Sequence, residues 1–225
     1  MPRPKAVVSW SSGKDSAFAL HEARRSGNVE IVGILTTVTS EFGRVSMHGV
    51  REALLDQQAE ALGLPCWKVP IPSRCPNDVY ERQMARALGE IQQLEVTAVV
   101  FGDLFLEDLR QYREAKLAAA GMSGIFPLWK RDTAALAREM IDLGLRATIT
   151  CIDPKKLDRS FAGRSFDATF LAELPGDVDP CGENGEFHTF ASAGPMFASA
   201  IDVKLGDVVD RDGFVFADVL PAGVR

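Results

Sequence analysis

The sequence predicts an α/β fold: a parallel, twisted sheet flanked by helices, followed by a smaller α+β domain. Three observations predict it. Short β-branched runs alternate with segments of helical periodicity through the first two-thirds of the chain. The first of these runs passes through a turn of small residues directly into a helix. From about residue 175 proline and glycine break up the chain, which closes on two extended runs around Asp212-Gly213.

The elements follow in order. Ala6 to Trp10 reads as a buried strand, and the helix after it ends at Gly27, a good residue just past a helix C-terminus. Ile31 to Leu35 is a second strand. Val50 to Leu62 is a helix closed by Gly63, and Cys66 to Val69 a third strand. Tyr80, Met84, Ala87, Leu88, Ile91 and Leu94 place a helix over 76–95. Val96 to Phe101 is a strand that stops at Gly102-Asp103, followed by a helix from Leu106 to Ala120 and a short strand or turn over 124–129. Thr133 to Ile141 is helical, and Ala147 to Ile152 continues the βα series as a strand. Ile201 to Leu205 and Phe214 to Val219 make a hairpin. These units define a Rossmann-like nucleotide domain over 1–127 and a substrate domain over 128–225. Ligands of such sheets sit at the carboxyl ends of the strands, where residues 11–16 and 102–103 fall.

Composition narrows the function. The chain has 225 residues, 46% of them hydrophobic and 25% charged, enough for a real core. Its 31 acidic residues against 25 Lys and Arg leave a formal charge of −6, which argues against a broad nucleic-acid surface, though not against a local basic patch. No run approaches the roughly 20 apolar residues of a membrane span, and the opening residues lack a signal-peptide core. The expectation is a cytoplasmic protein. Cys66, Cys75, Cys151 and Cys181 form no CxxC pair, and three histidines are too dispersed for a metal cage. A homo-oligomer is left open.

The densest signal is Ser11-Ser12-Gly13-Lys14-Asp15-Ser16 between strand and helix. Backbone N–H groups of a small-residue turn converge on an anion, and the helix N-terminus adds its dipole. Lys14 can add positive charge, Asp15 can hold Mg2+ or fix the loop, and three serine hydroxyls suit phosphate oxygens. The competing reading is a plain helix cap. Walker A fails, because Val8 stands at its first glycine and Asp15 follows Gly-Lys; GxGxxG also fails. The loop resembles that of the PP-loop ATP pyrophosphatases, S-G-G-x-D-S, with Ser12 at the first glycine, a change that costs little provided φ there is negative.

A second cluster spans Asp179 to Thr189: Gly182 and Gly185 bracket Glu183 and Asn184, and Glu186 and His188 share a face if a strand follows. A solvated acidic turn is the alternative. Together the two segments resemble the diphthine–ammonia ligase family of PP-loop enzymes, whose pattern joins such a loop to G-E-x-G-E-[FY]-x-T, here Gly182 to Thr189. The pattern adds Gly102-Asp103, Tyr112-Arg113 and Pro127 to Trp129, so the match covers nearly the whole chain.

The resemblance implies an ATP-dependent ligase that adenylates a carboxylate and amidates it with ammonia, the acceptor being diphthine on an elongation factor or another carboxylate. It implies ATP and Mg2+ at residues 11–16, with Mg2+ on Asp15. Asp15, Glu183, Glu186 and His188 are then catalytic, with the two glutamates positioning ammonium or a metal and His188 moving a proton. Gly102, Asp103, Tyr112, Arg113, Gly182, Asn184, Gly185 and Thr189 contact substrate. Arg113 reads equally well as an anion clamp or a salt-bridge residue, and Met47-His48-Gly49, before a helix, equally well as a segment approaching substrate or a capped turn. Two other functions compete. A transfer-RNA-modifying PP-loop enzyme would want paired cysteines or a basic extension. A nucleotide-binding sensor would not need residues 182–189.

Overall fold

The computed structural model describes residues 3–223. Five parallel strands form the first sheet: β1 (Lys5–Ser9), β2 (Glu30–Thr39), β4 (Cys66–Ile71), β5 (Val96–Val100) and β6 (Ser123–Ile125), in the order β4-β2-β1-β5-β6. The two-residue β3 (Arg44–Val45) pairs antiparallel with Val38 and Thr39, past the point where β1 ends. Helices α1 (Lys14–Ser26), α2 (Glu52–Leu62), α3 (Asn77–Gln92) and α4 (Glu107–Ala119) connect the strands. Ala6, Val7 and Val8 are all fully buried, as a central parallel strand covered on both faces requires. Ala6 and Val8 pack with Phe18 of α1 and Leu54 of α2, whereas Val7 packs with Leu88 and Ile91 of α3 and Leu117 of α4.

This order fixes where a ligand can sit. The chain builds outward from β1 to β2 and β4, then returns to β5 on the other side of β1. The loops leaving β1 and β5 diverge at that reversal and open a crevice at the sheet's carboxyl edge. Residues 10–13 and 101–106 are those loops.

Helix α5 (Thr133–Asp142) leads into a separate antiparallel sheet, β8-β7-β10-β9, made of β7 (Arg146–Ile152), β8 (Phe187–Ala193), β9 (Val203–Arg211) and β10 (Phe214–Pro221). The short α6 (Ala168–Glu173) precedes β8. Here the structure departs from the sequence expectation. The strand expected to continue the parallel βα series, residues 147–152, is β7, an inner strand of the second sheet. Apolar character reveals that a strand is buried and says nothing about which strand it pairs with. The expected hairpin forms, with φ of 50° at Asp212 and 87° at Gly213, the two positive values of a tight turn whose twist matches its strands. The core that holds Phe18 and Leu54 runs on through Ile149, Phe170, Phe187, Phe190 and Val215, so the two sheets share one interior. Among the described residues no helix is long and apolar enough to cross a membrane.

Candidate active site

Strand β1 delivers the chain to Trp10, and Ser11, Ser12 and Gly13 turn it into α1. Gly13 is the cap residue and makes no side-chain cap bond, so the loop's own serines and Asp15 are not serving as a plain N-cap. Ser16 Oγ instead donates to the Gly13 carbonyl at 3.0 Å and lies 3.2 Å from Ser11 Oγ, binding the turn to itself. Ser12 has φ of +69°. The proviso under which serine is cheap here therefore fails: a left-handed conformation costs a non-glycine residue about 1–2 kcal/mol. Its hydroxyl is fully buried and has no hydrogen-bond partner.

The Lys14 ammonium pairs with its loop neighbour Asp15 and reaches the second domain. It is 1% exposed, contacts the Asp15 carboxylate at 2.9 and 3.0 Å, donates to the Cys181 carbonyl, and lies 5.5 and 5.2 Å from the ring centroids of Phe166 and Phe187. Burial alone would lower its pKa, but the neighbouring Asp15 charge, with Glu183 behind it, outweighs burial and leaves the pKa raised.

The β5 loop closes the other side. A Cβ on Gly102 would fall 2.7 Å from the Asp15 carbonyl carbon, so glycine is required for the loop to lie on the first turn of α1. Asp103 meets Arg113 of α4 at 3.0 Å, which favours the salt-bridge reading of Arg113, and the guanidinium also lies 4.5 Å from the Phe101 ring centroid. The Leu104 N–H donates to Glu183 Oε1 at 2.7 Å, drawing the C-terminal acidic turn against the first sheet. Asp15, Asp103 and Glu183 consequently share one region. Burial pushes Asp103 up against the pull of Arg113, and burial together with the Asp15 and Asp103 charges pushes Glu183 up to about 7.

The remaining motif residues divide by role. Glu186, 3% exposed, accepts from the Asp179 N–H and from Asn184 Nδ2, both at 3.1 Å, so one oxygen braces the turn while the other is buried without a partner. Gly182 and Gly185 take φ of 72° and 81° in that turn. Asn184 is exposed, and its carbonyl accepts from Lys156. Thr189 Oγ1 accepts from the Lys14 N–H at 3.0 Å. His188 lies against His48, the rings tilted by 41° with centroids 4.5 Å apart. Burial drives His188 down to about 3 and His48 to about 4, so both are neutral near pH 7. The Tyr112 hydroxyl bonds Glu81 of α3 at 3.2 Å.

One residue of the site was not among the sequence candidates: Gln58 of α2 is fully buried and bonds the loop backbone. His48, in a segment read as equally able to approach substrate or to form a capped turn, lies against Gly13: a Cβ on that glycine would come within 3.0 Å of His48 Cε1. The spacing of Leu54, Gln58, Ala61 and Leu62 puts one amide in an apolar stripe, a signal that could have found Gln58. Burial pushes the Cys66 thiol up to about 11 and Cys151 to about 12 and raises Cys181 as well, so these three are poor nucleophiles near neutral pH. Among the described residues no group of three or more His, Cys, Asp or Glu is arranged to hold a metal unaided.

Comparison with known proteins adds the family. Residues 4–123 match the diphthamide synthase N-terminal domain, and residues 132–215 match the diphthamide synthase C-terminal domain. A Danio rerio protein named diphthine–ammonia ligase is 28% identical over 96% of this chain and 92% of its own length. A Homo sapiens protein of the same name is 26% identical over 93% of this chain and 86% of its own. The corresponding Schizosaccharomyces pombe protein is 26% identical over 92% of this chain but only 37% of its own length. With both domain models matched in order, the chain belongs to the diphthamide synthase family.

Proposed function

We propose that this chain is an ATP-dependent ligase that adenylates a carboxylate, diphthine or a related acceptor, and converts it to an amide with ammonia. The observation that carries the reading is the bond from the Leu104 N–H to Glu183. It brings the acidic turn of the second domain to Asp103 and Asp15, beside the loop at the reversal of the sheet. A nucleotide sensor has no use for that carboxylate.

Residues 11–16 fit a polyphosphate: the Ser12 hydroxyl is buried with nothing to bond, at the N-terminal end of a helix whose dipole favours an anion. Asp15 and Asp103 would hold Mg2+ jointly with phosphate oxygens. Bound there, Mg2+ would neutralise charge on the leaving pyrophosphate. The acceptor carboxylate attacks the α-phosphorus, forming a C–O–P bond and breaking the bond to pyrophosphate. Ammonia then attacks the carbonyl carbon and AMP leaves with the C–O pair. With a carboxyl pKa of about 7, Glu183 is partly ionised at neutral pH and takes the proton released by nitrogen. Glu186 serves by bracing the turn that carries Glu183. We assign residues 1–127 to nucleotide binding and 128–225 to acceptor binding.

The test is incubation with ATP, Mg2+, 15N-ammonium and a diphthine-bearing protein. The expected outcome is 15N-amide formed one for one with AMP. AMP without amide would overturn the ligase reading.

A further inference from the structure

Gln58 uses its whole amide on backbone and side-chain groups of the site. Oε1 accepts from the Trp10 indole N–H at 2.9 Å, and Nε2 donates to the Ser12 carbonyl at 3.0 Å and to the Ala191 carbonyl at 2.7 Å. Trp10 and Ser12 lie in the loop after β1, and Ala191 lies in β8. The Ala191 N–H donates to the same Ser12 carbonyl at 2.8 Å. Two donors, one from each domain, thus converge on the carbonyl of the residue at φ +69°. A strained residue keeps its conformation only where its surroundings over-determine it. No apolar side chain replaces this amide, since the Trp10 indole N–H and the Ala191 carbonyl would lose this partner and the Ser12 carbonyl would keep one donor of two.

We propose that Gln58 is a positioning residue for the phosphate loop. It holds Ser12 in its left-handed conformation and couples the shape of residues 10–16 to the seating of β8. The inference rests on reading residues 11–16 as the nucleotide loop, but its first measurement does not.

Amide hydrogen exchange of residues 10–16 is compared with that of 77–92, a helix on the opposite face of the sheet, in wild type, Gln58→Leu and the shorter amide Gln58→Asn. Loop exchange should rise about tenfold relative to 77–92 in Gln58→Leu and in the same direction in Gln58→Asn, which serves alone if the leucine variant does not fold. Binding of α,β-methylene-ATP is then measured by calorimetry, and Gln58→Leu should weaken it by about tenfold. Ser12→Gly takes a positive φ without support, so the Ser12→Gly/Gln58→Leu double variant should bind within about threefold of Ser12→Gly alone. A merely structural glutamine would give additive losses. Unchanged loop exchange in both Gln58 variants, or a double variant no tighter than Gln58→Leu, overturns the proposal. Faster loop exchange with no analogue binding even in wild type supports the positioning role and overturns the nucleotide reading instead.

Discussion

The Lys14 backbone N–H donates to the Thr189 hydroxyl at 3.0 Å, joining the first residue of α1 to a strand 175 positions later. The loop of residues 11–16 and the acidic motif are therefore built as one object. An N–H at the start of a helix has no partner within its own helix, and here the second domain supplies it.

Replacing Thr189 with valine keeps the shape and deletes the acceptor. The Lys14 N–H is then buried without a partner, at a cost of about 1–3 kcal/mol. Chemical denaturation of Thr189→Val and Thr189→Ser checks this, with serine expected to retain most of the stability. A larger loss in Thr189→Ser than in Thr189→Val would show that the methyl group, not the bond, matters.

Lys14→Met should behave as a domain-packing defect. The ammonium faces Asp15, Cys181 and two phenylalanine rings, so its loss is expected to lower the melting temperature. It should also leave the affinity for an ATP analogue within about threefold, whereas loss of a charge-assisted phosphate contact would cost about tenfold or more. Calorimetric titration beside thermal unfolding separates the two.

The legible part of this molecule was whatever leaves a local pattern. The helix ends at Gly27 and Gly63 were readable because both glycines take left-handed φ, 66° and 64°. The hairpin at Asp212-Gly213 was readable from its turn pair, and the two polar segments from their density of small and acidic residues. Pairing was not readable: β7 carries the same apolar character whether its neighbours are parallel or antiparallel. The direction of Lys14 was also hidden, because it depends on Phe166, Phe187 and the Cys181 carbonyl, more than 150 positions away. Neutral histidines were missed because burial, not residue type, sets their charge.

Glu183→Gln should change stability with a defined pH dependence. The carboxyl ordinarily titrates near 4.5 and is raised to about 7 in the folded chain, first by burial. Between those values the folded form keeps a proton that the unfolded form releases, so this group's contribution to stability falls as pH rises through the window. Glutamine is neutral throughout. The variant should match wild type near pH 4.5 and exceed it by about 1–3 kcal/mol at pH 8, while amide formation drops about 10²-fold. Urea midpoints at pH 5 and pH 8 decide it; an equal shift at both would refute the buried-carboxylate account.

The central claim is that residues 11–16 hold the polyphosphate so that ATP breaks between its α and β phosphates. Phosphorus NMR of ATP incubated with the protein, Mg2+ and a diphthine-bearing acceptor tests it most directly. The account predicts AMP and pyrophosphate as the products; ADP and orthophosphate would contradict it.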